Sequence, residues 1–178
     1  MNTSVERCTL RPWREGDQHD LVRHANNRQI WLGLRDRFPH PYTLPDADAF
    51  LTRAGAQNPS TVFAITIEDR PVGGIGLVLG SDVERISAEI GYWLGEAYWG
   101  RGIATAAVRA LTSQAFATFE LNRIFAIPYA DNSASIRVLV KAGYRHEGTL
   151  VASAIKDGQI RDQELFAITR QEHSHGAS

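Results

Sequence analysis

The chain has 178 residues, of which 43% are hydrophobic and 22% charged, and its 19 basic and 20 acidic side chains give a formal net charge of −1. This composition fits one globular domain, and the charge balance offers no basic surface for nucleic acid or an anionic membrane. The lone Cys8 excludes an intrachain disulfide, and no apolar run approaches the roughly 20 residues of a membrane span, so a location in the cytoplasm is expected.

The first half of the chain predicts a strand, two helices and a β-hairpin. The second helix has the firmest start, because Thr43-Leu44-Pro45-Asp46 has the form of a capping box with proline at the first helical position. The predicted elements are a strand at 8–13, a helix capped by Asp17 that ends at Asn26, a helix from Thr43 to about Ala54, and hairpin strands at 61–67 and 72–79.

The second half predicts strands alternating with two helices, and then a closing strand pair. Asp131 or Asn132 can cap the second of these helices, and Gly143 is expected just past its end. The predicted elements are a strand at 88–94, a helix from Ile103, a strand at 123–129, the capped helix, and strands at 149–155 and 164–169. Residues 171–178, with His173 and His175, are predicted to form a disordered tail that binds no metal.

The turn between the predicted strand 88–94 and the helix from Ile103 carries Gly100 and Gly102 on either side of Arg101. Glycine lets the backbone approach a ligand closely, and the first N–H groups of a helix lack partners within the helix. This turn therefore predicts a pyrophosphate site. A P-loop would need a Gly-Lys pair, which does not occur, and a dinucleotide fingerprint would need a glycine where Thr105 stands.

Two motifs resemble those of the GCN5-related N-acetyltransferases (GNAT). Trp99-x-x-Gly102-x-Ala104 is similar to the acyl-coenzyme A signature R/Q-x-x-G-x-G/A, with Trp99 replacing the usual arginine or glutamine. Residues 131–144 resemble the segment N-x-x-S-x-x-x-x-x-K-x-G-F/Y of that family. The stretch Glu-Ile-Gly-Tyr-Trp-Leu, followed by Tyr-Trp-Gly-Arg-Gly-Ile-Ala-Thr, resembles the RimJ/RimL-like branch of ribosomal-protein N-terminal acetyltransferases.

The resemblance implies an α/β (α+β) GNAT fold in one domain, residues 1–170. Its single mixed sheet would be mostly antiparallel, with one splayed parallel strand pair and about four flanking helices. The resemblance also implies acetyl-coenzyme A as cosubstrate and no metal. The implied cofactor-binding residues are Tyr92, Trp93, Leu94, Gly100, Arg101, Gly102, Ile103, Ala104, Thr105, Asn132 and Ser135. The Arg101 side chain can either contact a phosphate or point into solvent, and both interpretations remain. Asn132 can either bind the cosubstrate or serve only as a helix cap.

The expected chemistry is direct attack of a primary amine on the thioester. Glu89 is the candidate base, because on a strand it shares a face with Gly91 and Trp93; a carboxylate with no catalytic role is the alternative. Ser135 is the candidate acid, since Leu139 stands where many GNAT enzymes have a tyrosine. Some Rim-like enzymes carry an acidic residue near the position of Ala154, and residues 149–155 contain none.

Residues 31–42, here called the lip, connect the first two predicted helices and combine aromatic, proline and arginine side chains. The candidate acceptor-binding residues in the lip are Trp31, Arg35, Arg37, Phe38 and Tyr42. The aromatic residues alternatively fasten the connection to the core. The expected acceptor is a protein N-terminus or a small-molecule amine, with no nucleic acid or membrane partner and with a homodimer left open. The competing function is a non-catalytic acyl-coenzyme A binding module.

Overall fold

The computed structural model describes residues 8–176. It contains seven strands and six α-helices within that range. The first half comprises β1 (Thr9–Pro12), α1 (Gln18–Ala25), α2 (Arg28–Leu32), α3 (Leu44–Gly55), β2 (Val62–Ile67) and β3 (Arg70–Leu79). The second half comprises β4 (Ser87–Leu94), α4 (Ile103–Thr118), β5 (Arg123–Ala126), α5 (Ser133–Lys141), β6 (Arg145–Lys156), β7 (Gln159–Thr169) and α6 (Arg170–Gly176).

All seven strands form one mixed sheet in the order β1-β2-β3-β4-β5-β7-β6. The pair β4–β5 is parallel, as expected for two strands joined by the crossover helix α4, whereas the pairs β1–β2, β2–β3, β5–β7 and β6–β7 are antiparallel. The parallel register covers Ser87↔Arg123 to Glu89↔Phe125, while β4 continues to Leu94. The predicted single mixed sheet with one parallel strand pair is therefore confirmed.

By residue contacts the chain divides into two compact units. The first contains the chain up to Gly76 together with Tyr92–Ala107. Its core includes Trp13, Leu21 and Tyr42, with Phe38 and Trp93 packed against this cluster. The second unit contains Leu77–Gly91 and the chain from Val108 onward. Among its buried side chains are Ile124, Leu139, Tyr144, Phe166 and Ile168.

The predicted helix start is confirmed at α3 and only partly confirmed at α1. Thr43 and Asp46 form the predicted capping box of α3. Asp17 does precede α1, but it makes no side-chain cap. Its carboxylate instead accepts hydrogen bonds from the Arg11 guanidinium at 2.8 and 2.9 Å. A charged donor in a buried setting binds a carboxylate more strongly than a backbone amide does, which explains the difference.

Helix α2 was missed, and the prediction of a disordered tail from residue 171 was wrong for the residues that form α6. Thr169 and Glu172 form the start of α6, since Glu172 accepts hydrogen bonds from the N–H and hydroxyl of Thr169 at 2.9 and 2.8 Å. The pattern Thr-x-x-Glu is a capping box that the sequence displayed. The ring of His173 lies 5.4 Å from that of Phe116, which fixes the helix to α4.

Strand lengths also differ from the prediction. β5 ends at Ala126 rather than at 129, whereas β6 and β7 begin or end several residues beyond their predicted limits. Of the helices among residues 8–176, none is both long and apolar enough to cross a bilayer.

Candidate active site

The turn between β4 and α4 has the backbone geometry that its glycines predicted. Gly100 and Gly102 have φ angles of +75° and +78°, a region that L side chains rarely adopt. A Cβ added at Gly100 would meet no heavy atom within 4 Å, so the space beside it is open. The first turn of α4 closes with the Ala106 N–H donating to the Gly102 carbonyl at 3.0 Å. In an α-helix the N–H groups that precede this bond have no acceptor within the helix, so those of residues 103–105 are suited to bind an anion.

Two side chains hold this turn, here called the cradle (residues 99–105). The Trp99 indole N–H donates to the Leu94 carbonyl at 2.7 Å, while 47% of the residue stays exposed. The Arg101 guanidinium lies 5.3 Å from the centre of the Tyr98 ring, a cation–π distance. Arg101 is thus kept beside the open glycines, where it adds positive charge to that of the helix N-terminus.

The base of the cradle packs on α1. A Cβ at Gly95 would lie 2.8 Å from His24 Nδ1, so only glycine allows this approach. The His24 ring also contacts the Tyr98 ring edge-on at 5.6 Å. Burial lowers the pKa of His24, which keeps the imidazole neutral against the turn.

The lip lies in the same unit as the cradle and is joined to it. Asn27 caps α2 by accepting from the Gln29 N–H at 2.8 Å, and its amide nitrogen donates to Glu96 at 2.6 Å, just before the cradle. The Phe38 ring contacts the Trp93 ring of β4 at 5.6 Å. The lip therefore packs on the strand that leads into the cradle.

The predicted lip residues differ in exposure. Trp31 is half-buried, with the Arg28 guanidinium 5.4 Å and the His40 ring 5.8 Å from its ring centre. Tyr42 is only 4% exposed, its N–H donates to Asn26 Oδ1, and burial raises its pKa to about 12. Arg35 and Arg37 are exposed, so of the five predicted acceptor-binding residues these two are the most accessible.

Trp93 occupies the face of β4 that also carries Glu89 and Gly91, because side chains alternate along a strand. Its indole lies against Gly74, where an added Cβ would come within 2.7 Å of the ring nitrogen. The Trp93 side chain thus packs between Phe38 of the lip and Gly74 of β3, and the cofactor contact implied by the sequence would use its backbone.

Glu89 and Ser135, the predicted base and acid, both lie in the second unit. Glu89 is half-buried and pairs with Phe125 at the last position of the parallel register. Ser135 is half-buried in the first turn of α5, and its N–H donates to the Asn132 side-chain oxygen at 3.1 Å. Asn132 is thus a helix cap through its oxygen, while its amide nitrogen carries two further donors.

Comparison with known proteins decides the family. The model of the acetyltransferase (GNAT) domain matches residues 7–145. The chain belongs to the GNAT family. An N-acetyltransferase of Bacillus licheniformis called p20, described as uncharacterized, is 33% identical over 173 residues, covering 96% of this chain and 97% of that protein. The ribosomal-protein-serine acetyltransferase of Escherichia coli is 32% identical over 108 residues, covering 60% and 59% of the two chains.

A solved structure agrees. Mycobacterium smegmatis RimJ, in a complex with a coenzyme A disulfide, superposes with a TM-score of 0.80 at 28% identity, covering 94% of this chain and 86% of that one. The GNAT membership, the resemblance to the RimJ/RimL-like branch and the reading as an acetyl-coenzyme A-dependent N-acetyltransferase are confirmed. The relatives favour catalysis over the alternative of a non-catalytic binding module.

The cradle fits the GNAT cosubstrate. Two glycines in left-handed conformation and the open space beside Gly100 provide room for a pyrophosphate, and the first N–H groups of α4, which have no acceptor within the helix, are donors of the kind that bind one. Trp99, which replaces the usual arginine or glutamine, fixes the loop by its bond to Leu94 and stands largely exposed. Among residues 8–176, the His, Cys, Asp and Glu side chains form no cluster of three or more that could hold a metal.

The position of the usual GNAT tyrosine is closed in this protein. Leu139 stands at that position of α5, has no hydroxyl, and is fully buried in the core. Tyr144 is also buried, and its hydroxyl is hydrogen-bonded to Thr112 at 2.8 Å. Neither side chain can therefore act as the acid, whereas the first turn of α5 carries two serine hydroxyls, those of Ser133 and Ser135, of which Ser135 is the residue that the motif predicts.

A carboxylate that the sequence did not suggest lies across from β6. Glu164 on β7 pairs with Thr149 and accepts hydrogen bonds from its hydroxyl at 2.8 Å and from His146 at 2.5 Å. The Thr149 bond and then the His146 bond lower the pKa of Glu164. The strand register nevertheless places Glu164 on the opposite face of the sheet from Glu89. Glu89 pairs with Phe125 and Phe125 pairs with Ala167, so these three residues share a face. Glu164 is an odd number of positions from Ala167 and therefore lies on the other face. Glu164 cannot substitute for an acid at Ala154.

The face that carries Glu89 does hold two side chains that sequence reasoning missed. Gln163 and Arg161 lie on β7 four and six positions before Ala167, and these even spacings place them on the same face as Ala167 and Glu89. The Gln163 amide donates to the Ile127 carbonyl at 3.3 Å, and Arg161 forms an ion pair with Asp131. No motif marks either residue, because only the strand register brings them to the end of β5.

Proposed function

We propose that the protein transfers the acetyl group of acetyl-coenzyme A to a primary amine on a neutral or anionic acceptor, either a protein N-terminus or an amino-acid-like small molecule. The geometry of the cradle carries this proposal, since Gly100 and Gly102 at the start of α4 form a site for a pyrophosphate. The relative in Escherichia coli is named a ribosomal-protein-serine acetyltransferase, which supports a protein as one acceptor class.

Each unit contains residues that we propose bind the cosubstrate, assigned from the motif that the unit carries. The residues proposed to bind it are Tyr92, Trp93 and Leu94 through their backbone, Gly100, Arg101, Gly102, Ile103, Ala104 and Thr105 in the cradle, and Asn132 and Ser135 on the second unit. An extended pantetheine arm can pair with the backbone of β4 as an added strand would, because the parallel register with β5 ends at Glu89.

The reaction needs a neutral amine. Glu89, directly or through a water, would take a proton from the ammonium form of the acceptor. The amine nitrogen then bonds to the thioester carbonyl carbon and the C–S bond breaks. Glu89 passes that first proton to solvent, and as the amide forms it accepts the second proton, which the attacking nitrogen loses. The coenzyme A thiolate departs while it accepts a hydrogen bond from the Ser135 hydroxyl, which keeps its proton. A thiol has a pKa near ~8.5 and is already a fair leaving group, so Ser135 contributes less than Glu89.

An acceptor screen tests the proposal. The purified protein is mixed with acetyl-coenzyme A and N-terminal peptides, amino acids, spermidine or an aminoglycoside, and release of free thiol is followed. Peptides or amino-acid-like compounds should give the highest kcat/KM, because a polycation would meet Arg35 and Arg37 with only Asp36 between them. The ranking would be overturned by spermidine or the aminoglycoside giving the highest kcat/KM.

The lip arginines should act on the acceptor and spare the cosubstrate. Replacing Arg35 and Arg37 together with Ala removes two exposed cations, so KM for the true acceptor should rise roughly tenfold while KM for acetyl-coenzyme A changes little. Arg14→Ala serves as the matched control, because Arg14 is a half-exposed arginine of the same unit that pairs with Asp69. Equal rises in both KM values would argue against an acceptor role.

We further propose that a second copy of the chain is a partner. The hairpin β6–β7 exposes apolar side chains, with Val151, Ile155 and Ile160 at 76%, 65% and 73% exposure, and β6 lies at an edge of the sheet. An exposed apolar edge is normally covered, and a two-fold axis lets one patch cover itself. Light scattering would show a dimer that Val151→Lys dissociates.

The proposal also covers where the enzyme is located and which residues form its domain. We propose that the enzyme is located in the cytoplasm, because the E. coli relative is named for ribosomal proteins. Residues 1–170 are taken as one GNAT domain, of which the family match covers 7–145. The net charge of −1 gives no support for a nucleic-acid partner.

A further inference from the structure

The segment between β5 and α5 (residues 127–131) is attached to β7 by a series of hydrogen bonds. The Glu164 N–H donates to the Pro128 carbonyl at 2.9 Å, and the Ala130 N–H donates to the Asp162 carbonyl at 3.0 Å. Tyr129 and Gln163 form an isolated antiparallel bridge between these two bonds. β7 therefore sets the path of the chain up to the start of α5.

Arg161 holds the far end of this segment through two contacts. Its Nη1 lies 3.2 Å from Asp131 Oδ2, and its guanidinium carbon lies 5.4 Å from the centre of the Tyr129 ring. The Arg161 side chain is 19% exposed and Tyr129 is 7% exposed, whereas the Asp131 side chain is 66% exposed. Since exposed ion pairs contribute little, the stacking on the buried ring supplies most of the restraint.

The restrained turn leads directly into Asn132. The Asn132 N–H donates to the Tyr129 carbonyl at 2.9 Å, and the Asn132 side-chain oxygen accepts from the Ser135 N–H at 3.1 Å. A shift of Tyr129 therefore moves both Asn132 and the first turn of α5. Arg161 touches neither Asn132 nor Ser135 in these contacts, so its effect on them passes through Tyr129 and Asp131.

We propose that Arg161 is a positioning residue for acetyl-coenzyme A: it fixes the turn from Tyr129 to Asn132, which presents Asn132 and Ser135 to the cosubstrate. This inference rests on the proposed function of these two residues. It assigns Arg161 a role that no sequence motif indicates.

The test compares R161A and R161K with the control R145A. Arg145 lies on β6, its side chain is 69% exposed, and it forms an ion pair with the half-buried Glu172, so R145A removes a salt bridge of the same unit that does not involve residues 127–135. For R161A, KM for acetyl-coenzyme A should rise about tenfold, while kcat at saturating cosubstrate and KM for the acceptor change less than about twofold. R161K should be intermediate, because it keeps the charge but not the planar stacking group.

Hydrogen exchange gives a readout that needs no activity. In R161A the amides of Ala130 and Asn132 should exchange at least about tenfold faster than in the parent, and in R145A they should not. Unchanged exchange at these amides, or faster exchange without any rise in KM for acetyl-coenzyme A, would overturn the proposal. A parent protein that fails to bind acetyl-coenzyme A in calorimetry would contradict the proposed function instead, and the exchange rates would still decide whether Arg161 fixes the turn.

Discussion

Gly102→Asp should abolish detectable binding of acetyl-coenzyme A in calorimetry while the protein stays folded. Gly102 has a φ of +78° directly before α4, and an aspartate there adds both bulk and negative charge where a pyrophosphate would lie. Each charge-assisted backbone hydrogen bond contributes about 1.5–3 kcal/mol, so the loss of two weakens binding by at least ~100-fold. Circular dichroism and thermal unfolding check that the fold survives.

Gly16→Asp is the matched control for the cradle. Gly16 also has a positive φ, +102°, and open space around its Cβ position, so the substitution introduces comparable backbone strain and the same charge in a loop before α1. It should leave the affinity for acetyl-coenzyme A unchanged. If a folded Gly102→Asp variant binds as tightly as the Gly16→Asp control, the pyrophosphate does not lie in the cradle.

Glu89→Gln should lower kcat by about 10²–10⁴, the usual contribution of a general base, with acetyl-coenzyme A affinity retained. The amide keeps the size and position of the side chain on β4 but cannot accept the ammonium proton. The measurement is kcat across a pH series, in which the acidic limb of the parent profile should disappear. Ser135→Ala should cost only about tenfold, because the thiolate leaves adequately without it.

Glu84→Gln provides the comparison for the base. Glu84 is an exposed glutamate in the turn before β4, outside the sheet face that carries Glu89. Glu84→Gln therefore makes the same chemical change away from the proposed base. Its kcat and pH profile should match those of the parent. A Glu89→Gln variant with parental turnover and an unchanged acidic limb would remove Glu89 from the mechanism and direct the search to an ordered water.

Local sequence determined the parts of this protein that involve neighbours along the chain. The glycine turn at 100–102, the capping box at Thr43 and the cap at Asn132 are each encoded within a few residues, because backbone conformation and cap hydrogen bonds depend on adjacent side chains. The same reasoning could have found α6 from Thr169 and Glu172. Helix α2 was not predicted because it has only five residues after its cap, too few to show a helical pattern of apolar residues.

The tertiary structure alone decided which side chains share a face and which meet across the sheet. Glu164 restores a carboxylate opposite Thr149 but lies on the face away from Glu89, a distinction that a register shift of one residue would reverse. Arg161 contacts Tyr129, which is 32 positions away in the sequence, and Phe38 contacts Trp93, which is 55 positions away. Such contacts depend on strand pairing and packing between distant segments, and no local pattern of residues specifies them.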